Sequence, residues 1–199
     1  MGDQPGPNEN TSLSLLDRLR MDDPAAWAIT VRLYTPLVHR WGGRAGVQHA
    51  DLEDLSQAVF RSAASSFSGF RRDRPGDSFR GWLHGITRNF LLKHFERQRR
   101  SPRATGGTDA FLRMQEIGAS ATDSDDDVAS DKHVVYLQAM ELMKGQFEEK
   151  TWQAFWMTVV DGRSPDDVAG HLGLSAVAVR KYKSRVLQRL RSEFDDFLD

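Results

Sequence analysis

Apolar side chains recur along most of this chain at intervals of three and four residues, the spacing that lines one face of an α-helix. The clearest stretch runs from Phe79 to Arg100. There Phe79, Trp82, Leu83, Ile86 and Phe90 fall at i, i+3, i+4, i+7 and i+11, and Asp77 or Ser78 is placed to cap the helix. Upstream, Leu13, Leu15, Leu16 and Leu19 predict a short helix capped by Thr11 or Ser12, and Asp22 or Asp23 before Pro24 starts a second. The second helix is expected to reach about Trp41, to kink or break near Leu33 to Thr35 because Pro36 removes a backbone donor, and to end on Gly42, Gly43 and Gly46. Asp51 opens a third helix, with Leu52, Leu55, Val59, Ala63 and Phe67 on its inward stripe and acids in its first turn. The loop from Phe70 to Ser78 separates it from the helix at 79–100.

The texture then changes. Residues 101–130 are rich in Ser, Thr, Gly, Ala and Asp, the composition of a flexible linker with at most a helical turn around Phe111 to Ile117. From Asp131 the helical repeat resumes through Val134, Val135, Leu137, Met140, Leu142 and Met143, and again through Trp152, Phe155, Trp156 and Val159. No stretch shows sustained strand alternation. The expected fold is therefore all-α: a disordered tail at 1–10, a helical domain at 11–100, an acidic linker at 101–130 and a second small helical domain at 131–199.

The C-terminal stretch has the grammar of a helix-turn-helix. Ser164 caps a short helix that starts on Pro165, Val168, Ala169 and Leu172 face inward, Gly173 makes the turn, and Ser175 caps the next helix. In that last helix Val179, Tyr182, Val186 and Leu190 form one stripe, continued by Phe194 and Phe197. Ser175, Val177, Arg180, Lys181, Ser184, Arg185 and Gln188 fall mostly on the other side, the positions that such a motif turns toward a DNA major groove. Tyr182 is ambiguous: it either seals the motif's core or leans toward the DNA backbone.

Charge sharpens this picture more than its total does. The formal net charge is only −1, but residues 1–100 hold 15 Lys and Arg against 11 Asp and Glu, while residues 101–135 hold 3 against 7. The helix at 79–100 alone carries Arg80, Arg88, Lys93, Arg97, Arg99 and Arg100 against Glu96, a positive potential suited to phosphate. The absence of cysteine excludes disulfides, thiol catalysis and cysteine-ligated zinc. The six histidines show no metal-binding spacing, and no phosphate-loop, dinucleotide or nucleophile-elbow motif occurs. No enzyme, cofactor or metal is expected, and with no apolar run long enough to span a bilayer and no signal-like start, the expectation is a cytoplasmic protein without membrane insertion.

Three blocks, DLEDLSQAVF at 51–60, SFRGWLHGITRNFLLKHFERQRR at 78–100 and SPDDVAGHLGLSAVAVRKYKSRVLQRLR at 164–191, together resemble bacterial RNA polymerase sigma factors of the extracytoplasmic function (ECF) type in the sigma-70 family. The resemblance implies a factor that binds core RNA polymerase and directs it to promoter DNA. Asp51, Asp54, Leu55 and Gln57 correspond to the edge that docks on the polymerase. Arg71, Arg72, Arg74, Arg80, Trp82, Arg88, Asn89 and Lys93 fall in the region that opens and holds the −10 element, with Trp82 better suited to packing than to stacking on a base. The loop at 70–78 resembles one that receives a flipped base, although an ordinary solvated turn has the same composition. The exposed residues of the last helix correspond to the −35 reader. An anti-sigma protein is a conceivable partner, and the free chain is expected to be a monomer.

The sequence departs from the family at Ala58, where a Glu is common, and at Tyr182. The acidic run Asp123, Asp125, Asp126 and Asp127 reads either as a solubilising tether or as an anionic segment that occupies a basic channel. Two rival functions stay open on these residues: a conventional helix-turn-helix regulator that binds DNA without polymerase, and a helical interaction protein whose basic faces bind acidic protein surfaces.

Overall fold

Helices α1 (Leu15–Arg20), α2 (Pro24–Arg44), α3 (His49–Ser66) and α4 (Phe79–Arg100) form the first half of the chain in a computed structural model that describes residues 14–100 and 125–198. The second half comprises α5 (Asp125–Lys144), α6 (Glu149–Val159), α7 (Pro165–Leu172) and α8 (Ala176–Leu198). A single 3₁₀ turn, Phe67–Gly69, follows α3. The described residues contain no strand, in agreement with the all-α expectation. The N-terminal tail, the caps expected at Thr11 and Ser12, and the turn around Phe111 to Ile117 lie outside the described residues.

Local signals set most boundaries. Asp23 caps α2 by accepting the Ala25 N–H at 2.8 Å, and Pro24 occupies the first helical position, where its missing N–H leaves no bond unmade. Arg18 donates to the same Asp23 carboxylate at 2.8 Å, and this bond, before the Ala25 amide, holds that carboxyl below its usual range. The cap of α1 is Ser14, which accepts from the Asp17 N–H at 3.2 Å.

Two expectations about α2 need correction. The helix runs through Pro36 without a break, because Leu33, Tyr34, Leu37 and Val38 are all fully buried and their packing holds the helix together across the proline. Nor do the glycines end it at Trp41: Gly42 and Gly43 are helical, and α2 stops at Arg44. Gly42 serves close approach instead. A Cβ there would sit 2.6 Å from Leu52 Cδ2 and 2.9 Å from Leu55 Cδ2, so the missing side chain lets α3 lie against α2.

The buried stripe of α4 also differs in phase from the expected one. Phe79, Leu83, Thr87, Leu91 and Phe95 are buried, whereas Trp82, Ile86 and Phe90 are partly covered at its margin. Thr87 fits because its hydroxyl donates to the Leu83 carbonyl at 2.8 Å.

α5 starts at Asp125, five residues before the end of the expected linker. Acidic residues in a first turn favour a helix dipole, and Asp127 gains a partner in Arg44 of α2 at 3.0 Å. The inner stripe of α5 is Asp131, Val135, Ala139 and Met143, and it packs on α2. As a result, one apolar core runs without interruption from α1 through α4 into α5 and the C-terminal end of α8. A smaller cluster, Ala154, Val168, Ala169 and Val179, lies under α6, α7 and the start of α8.

The contact between the halves is aromatic at its centre. Phe197, near the end of α8, places its ring 4.8 Å from Phe79 and 6.0 Å from Tyr34. The Tyr34 hydroxyl donates to the Phe197 carbonyl at 3.0 Å, satisfying one of the orphan acceptors at a helix C-terminus. Complete burial pushes the Tyr34 phenol far up, against the pull of Arg80 and Arg72, so it stays a neutral donor.

Candidate nucleic-acid interface

The last two helices have the geometry that their caps predict. Ser164 accepts from the Asp167 N–H at 3.1 Å and donates to the Asp167 carboxylate at 2.6 Å. Gly173 takes φ 64°, ψ 40°, a left-handed conformation that favours glycine, and closes α7. Ser175 then accepts from the Ala178 N–H at 3.1 Å at the start of α8. Val179, Val186, Leu190, Phe194 and Phe197 are buried, and Tyr182 is half-buried against the small cluster. Tyr182 thus seals the core of the motif rather than projecting from it.

The opposite side of α8 is solvent-exposed along its length. Ser175, Val177, Arg180, Lys181, Ser184, Arg185 and Gln188 are all exposed, and Val177, at 71%, is among the most exposed apolar side chains of the described residues. Arg180, Ser184 and Gln188 share a concave surface of about 490 Å³ with Lys183, Leu187 and Arg191. Lys183 and Arg191 were not among the expected residues. Their signal was in the sequence: Lys183 lies three positions after Arg180, and Arg191 lies three after Gln188, which puts them on the same helix face.

The expected −10 residues divide into three groups. Arg71, Arg74, Arg88, Asn89 and Lys93 are exposed, and Arg72 is half-buried. Trp82 is a packing residue, with its ring 5.1 Å from Phe70, 5.5 Å from Phe79 and 5.9 Å from Phe67. Arg80 departs from the expected exposed basic face. It is only 9% exposed, and its Nη1 lies 3.2 Å from Asp131 Oδ2 on α5.

The loop before α4 is internally tied. Asp77 accepts the Arg74 N–H at 2.9 Å, Gly76 takes φ 92°, and Arg71 donates to the carbonyls of Ser68 and Phe70 at 2.7 and 3.0 Å. That leaves the cap of α4 to Ser78, which accepts from Gly81 N–H at 3.1 Å.

Of the docking candidates, Asp54 and Gln57 are exposed, Asp51 is half-buried and Leu55 is buried. Asp51, Asp54 and Leu55 line a groove of about 390 Å³ with Ala58, and its other wall is Phe90, Lys93, His94 and Arg97 from α4. The edge is consequently not purely acidic. Lys93, expected on the DNA side, borders the same groove, with its Nζ 5.7 Å from the Phe90 ring centre.

Among the described residues no group of His, Asp and Glu is arranged to hold a metal ion, and no helix is long and apolar enough to cross a membrane. No curated protein matches the chain. Residues 30–101, which take in most of α2 and all of α3 and α4, match the family model of Sigma-70 region 2.

Proposed function

We propose that the chain is an ECF-type sigma factor that binds core RNA polymerase, reads a −35 element with α8, and opens and holds a −10 element with α4 and the loop before it. The match of residues 30–101 to Sigma-70 region 2 carries this reading, because it covers both the acidic edge of α3 and the basic helix α4. The exposed polar and basic face of α8 supports the −35 assignment. Val179, Val186, Leu190, Phe194 and Phe197 are committed to the core, which leaves Arg180, Lys181, Ser184, Arg185 and Gln188 for base edges and phosphates. Asp51, Asp54 and Gln57 suit a basic docking surface on the polymerase.

The deciding experiment adds the purified chain to core polymerase and a genomic promoter library and maps transcript starts. New starts that share two spaced sequence elements are expected. No new starts would overturn the proposal; sequence-specific duplex binding without polymerase would then favour a conventional helix-turn-helix regulator. Within the proposal, Arg88→Ala or Asn89→Ala lowers open-complex formation, read by permanganate footprinting, while −35 duplex binding is retained. An unchanged footprint would remove that role from both residues.

A further inference from the structure

Three arginines converge on one buried carboxylate where the two halves of the chain meet. Asp131 is 2% exposed. Its Oδ2 accepts from Trp41 Nε1 at 2.8 Å and from Arg80 Nη1 at 3.2 Å, while Arg40 Nε lies 3.7 Å and Arg44 Nη1 3.9 Å from Oδ1. One turn earlier on α5, Asp127 pairs with Arg44 at 3.0 Å and Ser130 accepts from Arg40. Asp127, Ser130 and Asp131 stand at i, i+3 and i+4 and so form one row of oxygens along a helix face.

The row fits its cradle imperfectly. The buried atoms Arg40 Nε and Asp131 Oδ1 face each other with no hydrogen-bond partner among the described residues. Asp131 and Arg80 are buried, and a buried ion pair gives little net stability because desolvation of the charges offsets their attraction. Three guanidinium groups and an indole N–H gathered around one carboxylate make a donor set that the oxygens of a phosphodiester can also fill, because the guanidinium fork pairs bidentately with phosphate as it does with carboxylate. Arg80 also lies in the first turn of α4, the helix that carries Arg88, Asn89 and Lys93.

We infer that Arg40, Arg44, Arg80 and Trp41 form an anion site for a nucleic-acid phosphodiester, and that the Asp127–Asp131 face of α5 occupies it in this closed form as an internal stand-in for phosphate. The inference rests on the nucleic-acid reading above but extends it to α2, which that reading leaves unused. DNA and α5 compete for one site. Freeing the cradle requires α5 to leave α2, and neutralising the carboxylates favours departure because it removes the charges that hold Arg40, Arg44 and Arg80 against α5.

The test is fluorescence anisotropy of the full chain with a short fluorescein-labelled single-stranded oligodeoxynucleotide over a range of NaCl concentrations. Asp131→Asn is expected to bind about tenfold tighter than wild type if the closed form holds about nine-tenths of the free chain. Its salt slope should steepen by about 0.7, the change expected for one further phosphate engaged. Adding Arg40→Gln and Arg44→Gln should reverse both changes. Asp127→Asn, at a half-exposed position, should act in the same direction with smaller size.

No tightening in either Asp variant would overturn the inference, as would a gain that survives loss of the two arginines. Competition by polyglutamate as effective as that by unlabelled oligonucleotide at equal charge would replace the phosphodiester with an acidic protein. Promoter-directed starts with unchanged oligonucleotide binding would sink the cradle alone. Cradle-dependent binding with no starts would sink the sigma reading alone.

Discussion

Replacing Phe197 by Ala tests whether the two halves of the chain form one cooperative unit. Phe197 is 3% exposed and packs its ring against Phe79 of α4 and Tyr34 of α2, far from it in sequence. Phe→Ala in a core costs about 3–5 kcal/mol, the sum of lost transfer energy and the cavity left behind. The site lies in the last turn of α8 and can partly collapse, so a loss of about 3 kcal/mol is expected. The Tyr34 bond to the Phe197 carbonyl is to backbone and remains. Domains of this kind hold only about 5–15 kcal/mol in total, so the effect should be plain in urea unfolding. Tryptophan fluorescence serves as the readout, with Trp152 and Trp156 changed to Phe so that only Trp27, Trp41 and Trp82 of the first half report. In that background Phe197→Ala should move the whole transition to lower urea with little change in slope. A shift worth less than about 1 kcal/mol would refute the packing argued for Phe197. A transition in which the first-half reporters do not respond would show that the halves unfold independently.

Other expectations are more local. Gly42→Ala should destabilise by about 1–2 kcal/mol in the same assay, because overpacking against Leu52 and Leu55 outweighs the gain in helix propensity of about 1 kcal/mol; a stabilised variant would mean that the two leucines simply move aside. Ser164→Ala removes the cap of α7 and should cost about 1 kcal/mol of thermal stability. Arg180→Ala or Lys181→Ala should weaken −35 duplex binding by about 1–3 kcal/mol where the side chain reads a base, and equal loss on all duplexes would restrict the residue to phosphate. The depressed carboxyl of Asp23 contributes stability above its ordinary value of 3.8 and loses it as pH falls through the lower folded value. Asp23→Asn should therefore flatten the acid limb of the stability curve, and an unchanged limb would exclude this carboxylate as a source.

Capping chemistry made much of this fold legible. Asp23 before Pro24, Ser164 before Pro165, and Gly173 before Ser175 each fix a boundary by satisfying particular backbone groups, and the structure uses all of them. Periodicity was less reliable where partners decide. Ile86 and Phe90 look as buried as Leu91 and Phe95 in the sequence, and only the position of α4 against α3 and α8 turns the stripe toward the latter pair. Arg80 illustrates the same limit for the site: a basic residue in a basic helix reads as solvated unless its partner, 51 positions away, is known. A signal for that partner did exist. Asp131 falls on the inner stripe with Val135, Ala139 and Met143, and an acid at a core position needs a buried countercharge. Pro36 misled in the opposite direction, because burial of its neighbours outweighs one lost backbone bond.

The closed arrangement also orders the events that the proposed function requires. The reading face of α8 is exposed while α5 lies against α2, so duplex DNA has access to Arg180 and Lys181 without any rearrangement. Arg80 has no such access: at 9% exposure it must first give up Asp131. A partner shifts this equilibrium only by the difference in its affinity for the two forms. A −35 duplex that touches α8 alone binds both forms equally and leaves α5 in place. Single-stranded −10 DNA, or a polymerase surface that competes for α2 or α4, binds the open form better and draws the halves apart. Asp131→Asn should consequently leave −35 duplex affinity unchanged while tightening single-strand binding. A parallel gain on both ligands would mean that α5 shields α8 as well, and that one opening step gates both DNA contacts.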